Sequence, residues 1–404
     1  MKKYIFGTLA AVAMIFSGCN NGEEFNDAVF MTGTLTSSNV RFLVDGQSEM
    51  ALTVSSSAKA SSDVTIEVKA TPEMLEAYNK KTGRNYQLPP EDAYSIEGGK
   101  VVIKSGTAQS TQVKLSADGD KLQEGVGYCL PVSIASVEGA DLQPIESART
   151  AYILFTKVIN IKAANLGGNG GFDIKGFWIS QNENSPVQDL KAMTLEMKVL
   201  PVSFPRTTSG DAGIASLCGC EENFLFRFGD GAGFATNKLQ LAKGSIGNPT
   251  HPDQKEHFDT KIDKEFPTGH WLHFAAVYDG HFLRIYLDGE LIHSVESQGG
   301  SINLSMAYDG HSWDDGFSIG RSTGYKRYFN GYVSECRVWN VARTLDEIEN
   351  GICYIDPTSE GLVAYWRFNG EVQDDGTVRD ETGHGYDATP FGNVQYVDNQ
   401  KCPF

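Results

Sequence analysis

Trp271-Leu272-His273-Phe274-Ala275-Ala276-Val277-Tyr278 runs into Asp279-Gly280, and Leu283-Arg284-Ile285-Tyr286-Leu287 follows. Asp288-Gly289 then turns the chain into Glu290-Leu291-Ile292-His293. Asp-Gly between two apolar-rich runs is the strongest short hairpin signal, because the tight turn needs positive φ at both central residues. The same β pattern extends in both directions. Met193-Thr194-Leu195-Glu196-Met197-Lys198-Val199 alternates upstream, and 316–320, 328–340 and 362–368 are strand-like downstream. Thr344-Leu345-Asp346-Glu347 reads as a capping box opening a short helix. The stretch 380–388 closes the chain. Pro205 to Phe266 reads as a long insertion holding at least one strand, Phe224-Leu225-Phe226-Arg227-Phe228. Long connections usually carry function, so specificity is expected there. No period of 20–50 residues points to a solenoid or propeller.

Residues 29–156 also alternate with period two, as in Val64-Thr65-Ile66-Glu67-Val68-Lys69 and Gln112-Val113-Lys114-Leu115-Ser116. Alternation puts one face of each strand in a core and the other in water. One helix interrupts this pattern. Thr71 is its expected cap, Pro72 its first residue, Glu73 and Glu76 suit its N-terminal dipole, and Gly83 ends it. Leu166-Gly167-Gly168-Asn169-Gly170-Gly171 reads as a Gly-rich joint. It is no phosphate loop, since the Lys-Ser/Thr and the strand–helix context are missing.

The succession from Trp271 to Asn340, with its Asp-Gly hairpin, resembles the LamG, or concanavalin A-like, jelly-roll family. The order of strands and helix in 29–158 resembles the immunoglobulin-like N-terminal domain of Bacteroidetes surface lipoproteins, where it precedes family-18 endoglycosidase or LamG domains. The resemblances imply an all-β chain: an immunoglobulin-like β-sandwich over 29–158, then a LamG jelly-roll sandwich over 159–404. The first domain is expected to act as a spacer that presents the second.

Residues 1–18 form a signal-like segment, with Lys2 and Lys3 before an apolar run from Tyr4 to Phe16 that is too short for a permanent span. Ser17-Gly18-Cys19 resembles a bacterial lipobox, which implies that Cys19 carries lipid. Residues 19–28 read as a polar tether, and the acids after Cys19 resemble a surface-export signal. The expected location is the outer membrane, exposed at the cell surface, with the membrane reached through the lipid only. The composition, 51 acidic against 34 basic residues and a net charge of −17, repels phosphate backbones and excludes nucleic acid as a partner. Of the seven cysteines, Cys353 and Cys402 are positioned to staple the C-terminal stretch by a disulfide. Cys129 and Cys336 lie in strand-like runs and read as buried small hydrophobes.

Catalytic patterns are missing. Retaining glycosidases need two carboxyl groups about 5 Å apart, and neither a Glu-x-Asp-x-x-Glu strand nor the family-18 acidic strand occurs. Gly-x-Ser-x-Gly and His-Glu-x-x-His are absent too. Calcium wants several oxygen ligands. Asp309, Asp314 and Asp315 offer three carboxylates in one turn-rich loop, and Asp380 and Asp387 bracket the closing Gly loop, where LamG relatives hold calcium. The early acidic partner of that family site is reduced to Gly171-Phe172-Asp173. Sugars are met by exposed rings beside polar groups. His311 and Trp313, Tyr325 and Tyr328, and Trp178 before an amide-rich turn have that character, whereas Trp271, Trp339 and Trp366 read as core. The expected function is non-catalytic carbohydrate binding, with calcium as the one possible cofactor. The alternatives are an adhesin or surface-assembly subunit that binds a host or neighbouring surface protein, and a glycoside hydrolase.

Overall fold

The alternating runs of the N-terminal half form a sandwich in the computed structural model. That model describes residues 27–139, 142–221, 223–247, 255–297, 299–306, 316–322, 324–368 and 372–403, without the side chains of 243–259. A five-stranded sheet runs in the order Asn39–Val44, Thr150–Lys157, Tyr128–Glu138, Val64–Ala70, Lys100–Ile103. A three-stranded sheet of Gln47–Leu52, Val113–Asp118 and Tyr94–Glu97 accompanies it, and a second is built on Ala28–Met31. Val64, Ile66, Val113 and Leu115 point inward and are buried, as their period-two spacing requires. The helix α1 spans Leu75–Thr82 and ends at Gly83, whose φ of 69° suits a left-handed cap. Thr71 does not cap it. Its hydroxyl pairs with Ser133 Oγ at 2.7 Å, and a 3₁₀ turn over Pro72–Met74 precedes the α-helix.

The C-terminal half is a larger sandwich. One sheet of eight strands runs Glu290–Glu296, Phe282–Leu287, Leu272–Tyr278, Met193–Ser203, Asn330–Trp339, Ile159–Asn165, Gln395–Cys402, with Leu362–Trp366 also paired to Asn330–Trp339. Asp288 and Gly289 take φ of 49° and 84° at the expected hairpin. The facing sheet of seven strands runs Lys255–Glu265, Lys238–Gly247, Phe224–Phe228, Ala215–Cys220, Ser318–Ile319, Gly171–Asp173, Thr389–Phe391. Residues 205–266 are therefore not a loop insertion. They supply four adjacent strands of this sheet. The Gly-rich run 166–171 is likewise not a joint between domains, because Ile159–Asn165 before it already pairs inside the second sandwich.

Phe172, Phe226, Phe228, Phe274, Phe317 and Trp366 fill the space between the two sheets, and burying each such ring is worth about 1.5–3 kcal/mol. Trp339 is buried as expected, but Trp271 is only half-buried, with Lys198 Nζ 5.8 Å from its ring centroid. Cys129, Cys218, Cys220 and Cys336 are buried free thiols.

The other face of the eight-stranded sheet carries charge. Glu196 accepts from Arg343 at 2.5 Å, Arg337 at 3.2 Å and His273 at 3.2 Å. Glu335 accepts from Arg337 at 2.5 Å and from the Tyr365 hydroxyl. The helix α2, Leu345–Gly351, closes over this layer. Arg337 donates to the Gly351 carbonyl at 2.7 Å and Arg343 to that of Glu347 at 2.6 Å. The helix begins with the expected capping box of Thr344 and Glu347. Arg84 of the first sandwich reaches α2, at 3.2 Å from Asp346 and 2.7 Å from Glu349. Cys353 and Cys402 form a disulfide that ties the segment after α2 to the last strand. Only Val158 separates the strand Thr150–Lys157 from Ile159–Asn165.

Candidate functional site

Phe172 enters the core of the second sandwich, so alternation turns Asp173 to the opposite side of the seven-stranded sheet. There it meets Arg321, which follows the strand Ser318–Ile319. Arg321 donates from Nε at 3.0 Å and from Nη2 at 2.5 Å to Asp173 Oδ1. Tyr325 donates its hydroxyl to Asp173 Oδ2 at 2.9 Å. The guanidinium lies 3.9 Å from the Tyr325 ring centroid and 5.3 Å from that of Phe391. Asp173 and Arg321 are buried, but Tyr325 is 46% exposed. A partly exposed ring with its hydroxyl pinned loses little freedom on binding, which makes it a good platform for an amphipathic ligand. Tyr328 leans on Phe391 from the other side, with centroids 6.3 Å apart.

Residues 324–328 bring two cations beside these rings. Arg327 donates to Asp211 Oδ1 at 3.0 Å and to Glu221 Oε1 at 2.7 Å, and Lys326 lies 3.3 Å from Asp211. Arg227 donates to Gln240 Oε1 at 2.9 Å. The second oxygen of buried Glu221 has no partner among the described residues. The Arg327 guanidinium beside Asp211 holds its carboxyl below the usual carboxylate range. Burial works against the charge on Arg327, and Glu221 and Asp211 more than offset it. Between this network and Phe204 and Asn330 opens a cleft of about 570 Å³, lined also by Tyr325, Lys326 and Tyr328. Aromatic rings, fixed charges and an amide thus meet in one concave surface, within the size range of small-ligand sites.

The residues singled out in sequence fall in different places. Tyr325 and Tyr328 come together at the cleft. Trp178 does not join them: it is 5% exposed, and its indole N–H is spent on the Phe317 carbonyl at 3.0 Å, so this ring packs and presents no platform. Asp380 organises the closing loop. Its oxygens accept from Tyr365 N at 3.0 Å, Thr382 N at 3.1 Å, Thr382 Oγ1 at 2.8 Å and Tyr386 N at 3.3 Å. Asp387 accepts from Asp380 N at 2.9 Å. Among the described residues no three His, Cys, Asp or Glu side chains gather as a metal site. Cys19, His311, Trp313, Asp309, Asp314 and Asp315 lie outside the described residues. Asp173, Arg321 and Phe391 were missed as site residues. Their only sequence signal was Asp173 as the remnant of an acidic motif, and its carboxylate holds Arg321.

Comparison with known proteins bears on the fold. A family model described as the concanavalin A-like lectin/glucanases superfamily matches residues 181–349, and one described as an N-terminal domain matches 24–141. No curated protein matches the chain. Among solved structures, a candidate carbohydrate binding protein from Bacteroides ovatus is 24% identical. It aligns over 92% of this chain and 98% of its own, with a TM-score of 0.51, a likeness of fold. EndoBT-3987 of Bacteroides thetaiotamicron, solved with a Man5GlcNAc product, is 22% identical over 32% of this chain and 30% of its own, with a TM-score of 0.27. The CBM40 of a Ruminococcus gnavus sialidase, bound to α2,3 sialyllactose, is 14% identical over 49% of this chain and 97% of its own, with a TM-score of 0.30. With its two facing sheets and the family match over residues 181–349, the second sandwich is a LamG-type, concanavalin A-like domain, with a separate β-sandwich domain in front.

Proposed function

We propose that the chain is a carbohydrate-binding lipoprotein, anchored through Cys19 at the outer surface of the cell, that holds its glycan without turning it over. The observation that carries this reading is the Tyr325 ring, half exposed and fixed by Arg321 and Asp173 at the mouth of the cleft. A pyranose lays its apolar face on such a ring, while Lys326 and Asn330 meet its hydroxyls. The charges of the cleft favour binding over hydrolysis. A glycosidase acid needs a raised pKa, whereas Asp211 is lowered by Arg327, and Glu221 is held by the same guanidinium.

A glycan array probed with residues 20–404, with calcium and with chelator, tests the reading. Saturable binding that Tyr325→Ala abolishes is expected. Loss of binding in chelator would assign a calcium role to the loop of Asp309, Asp314 and Asp315. An array without hits in both conditions would move the function to protein adhesion.

A further inference from the structure

The concavities on this chain gather at the junction of the two sandwiches as well as at the cleft. Volumes of about 120, 440 and 500 Å³ are each lined by residues of both domains. The one of about 440 Å³ has a distinctive lining. The first domain contributes Asn85 and Gln87, and the second contributes Trp339, Asn350, Asp356 and Glu360.

Trp339 is 3% exposed, and its indole N–H has no hydrogen-bond partner among the described residues. A buried donor left unpaired is costly, and nearly every such group in a folded protein finds an acceptor. Arg343 stacks on the ring at 4.3 Å, but its guanidinium is spent on Glu196 and on the Glu347 carbonyl. The free charge of the groove is therefore carboxylate. Amides and carboxylates that line one groove with Trp339 suit a ligand rich in hydroxyl groups. The same carboxylates repel one that bears an acid.

We infer that the domain junction is a second binding site, formed by both sandwiches, for a neutral saccharide whose oxygen accepts from the Trp339 indole N–H. This deepens the carbohydrate reading, and it makes the first domain part of the recognition surface instead of a spacer. Ligand sites occur preferentially at domain interfaces, and the volume falls within their usual range.

The test uses the two-domain chain with ¹⁵N-labelled tryptophan, whose five indole signals are assigned by Trp339→Phe. The probes are mannotriose, xylotriose, arabinotriose and N-acetyllactosamine, with sialyllactose as the acidic control. The Trp339 signal is expected to move saturably with at least one neutral probe and to stay still with sialyllactose. Asn85→Ala and Glu360→Gln, both at exposed positions, should weaken that titration about tenfold, the loss of roughly one good hydrogen bond, while Tyr325→Ala leaves it intact. Saccharide binding that depends on Tyr325 with a stationary Trp339 signal would overturn the junction site and leave the cleft reading standing. A Trp339 signal that moves in Tyr325→Ala but not in Asn85→Ala supports the junction site independently of the cleft. No binding by any probe would overturn both.

Discussion

The two sheets of the second sandwich carry similar chemistry on their outer sides to different ends. Each has an arginine shared between carboxylate and tyrosine: Arg337 with Glu335 and Tyr365 on one, Arg321 with Asp173 and Tyr325 on the other. Under α2 every partner is sealed, since Arg337, Glu335 and Tyr365 are all 0% exposed. On the seven-stranded sheet the tyrosine comes out at 46% exposed. The same triad is sealed scaffold under α2 and leaves one ring exposed on the seven-stranded sheet, where we propose that it recognises a ligand. Burial, not residue type, separates the two roles.

Removing charge from the sealed layer should have the largest effect. Glu196 is buried yet held charged, well below the usual carboxylate range: burial opposes its charge, and Arg343, His273 and Arg337 overcome that penalty. Glu196→Gln takes from Arg343 its only carboxylate partner among the described residues and leaves Arg337 with Glu335 alone, and should cost about 3–5 kcal/mol in chemical denaturation. The native pKa lies below the unfolded one, so this stability is fully present above the ordinary glutamate range. It is lost as pH falls through that range toward the native value. A Glu196→Gln chain should show a flatter acid limb.

Opening the disulfide comes next. Cys353→Ser with Cys402→Ser frees a loop of 49 residues and should lower stability by about 2–4 kcal/mol. Asp173→Asn should separate the two sheets by readout. Glycan affinity should fall about tenfold as Tyr325 loses its anchor, while thermal stability moves less than in Glu196→Gln. Equal losses of stability in both variants would erase the distinction between scaffold and site.

An effect confined to neutral and alkaline pH belongs to Lys198. Burial brings its pKa down to about 7, against the pull of Glu335 and Asp288. The unfolded chain keeps a proton that the folded chain sheds, so stability should rise with pH from about 7 toward the ordinary lysine range and stay flat below 7. Lys198→Met should remove that slope in a pH series of unfolding curves.

What could be read in sequence was local. The Asp288-Gly289 turn, the Thr344 capping box and the strands with one wet face each announce themselves within a few residues. Of the four strands of 205–266 only Phe224–Phe228 was legible; Ala215–Cys220 is buried at every position and so has no alternation. Gly219 looked like loop composition, yet it serves the sheet: a Cβ there would stand 2.0 Å from the Phe224 carbonyl oxygen. The site was half legible. Tyr325 and Tyr328 stood out as rings in a polar loop, but the group that fixes Tyr325 lies 152 positions away at Asp173, and no spacing rule reaches that far. Trp178, a candidate because it precedes an amide-rich turn though its sequence leans toward core, has its N–H used inside.

The single residue Val158 between the sandwiches has a mechanical consequence. Its amide is itself bonded to the Val44 carbonyl at 2.8 Å, and Lys401 and Asp45 pair across the same joint. Such a joint behaves as a weld. Torque or tension applied to one sandwich passes directly into the other instead of folding the molecule at the middle.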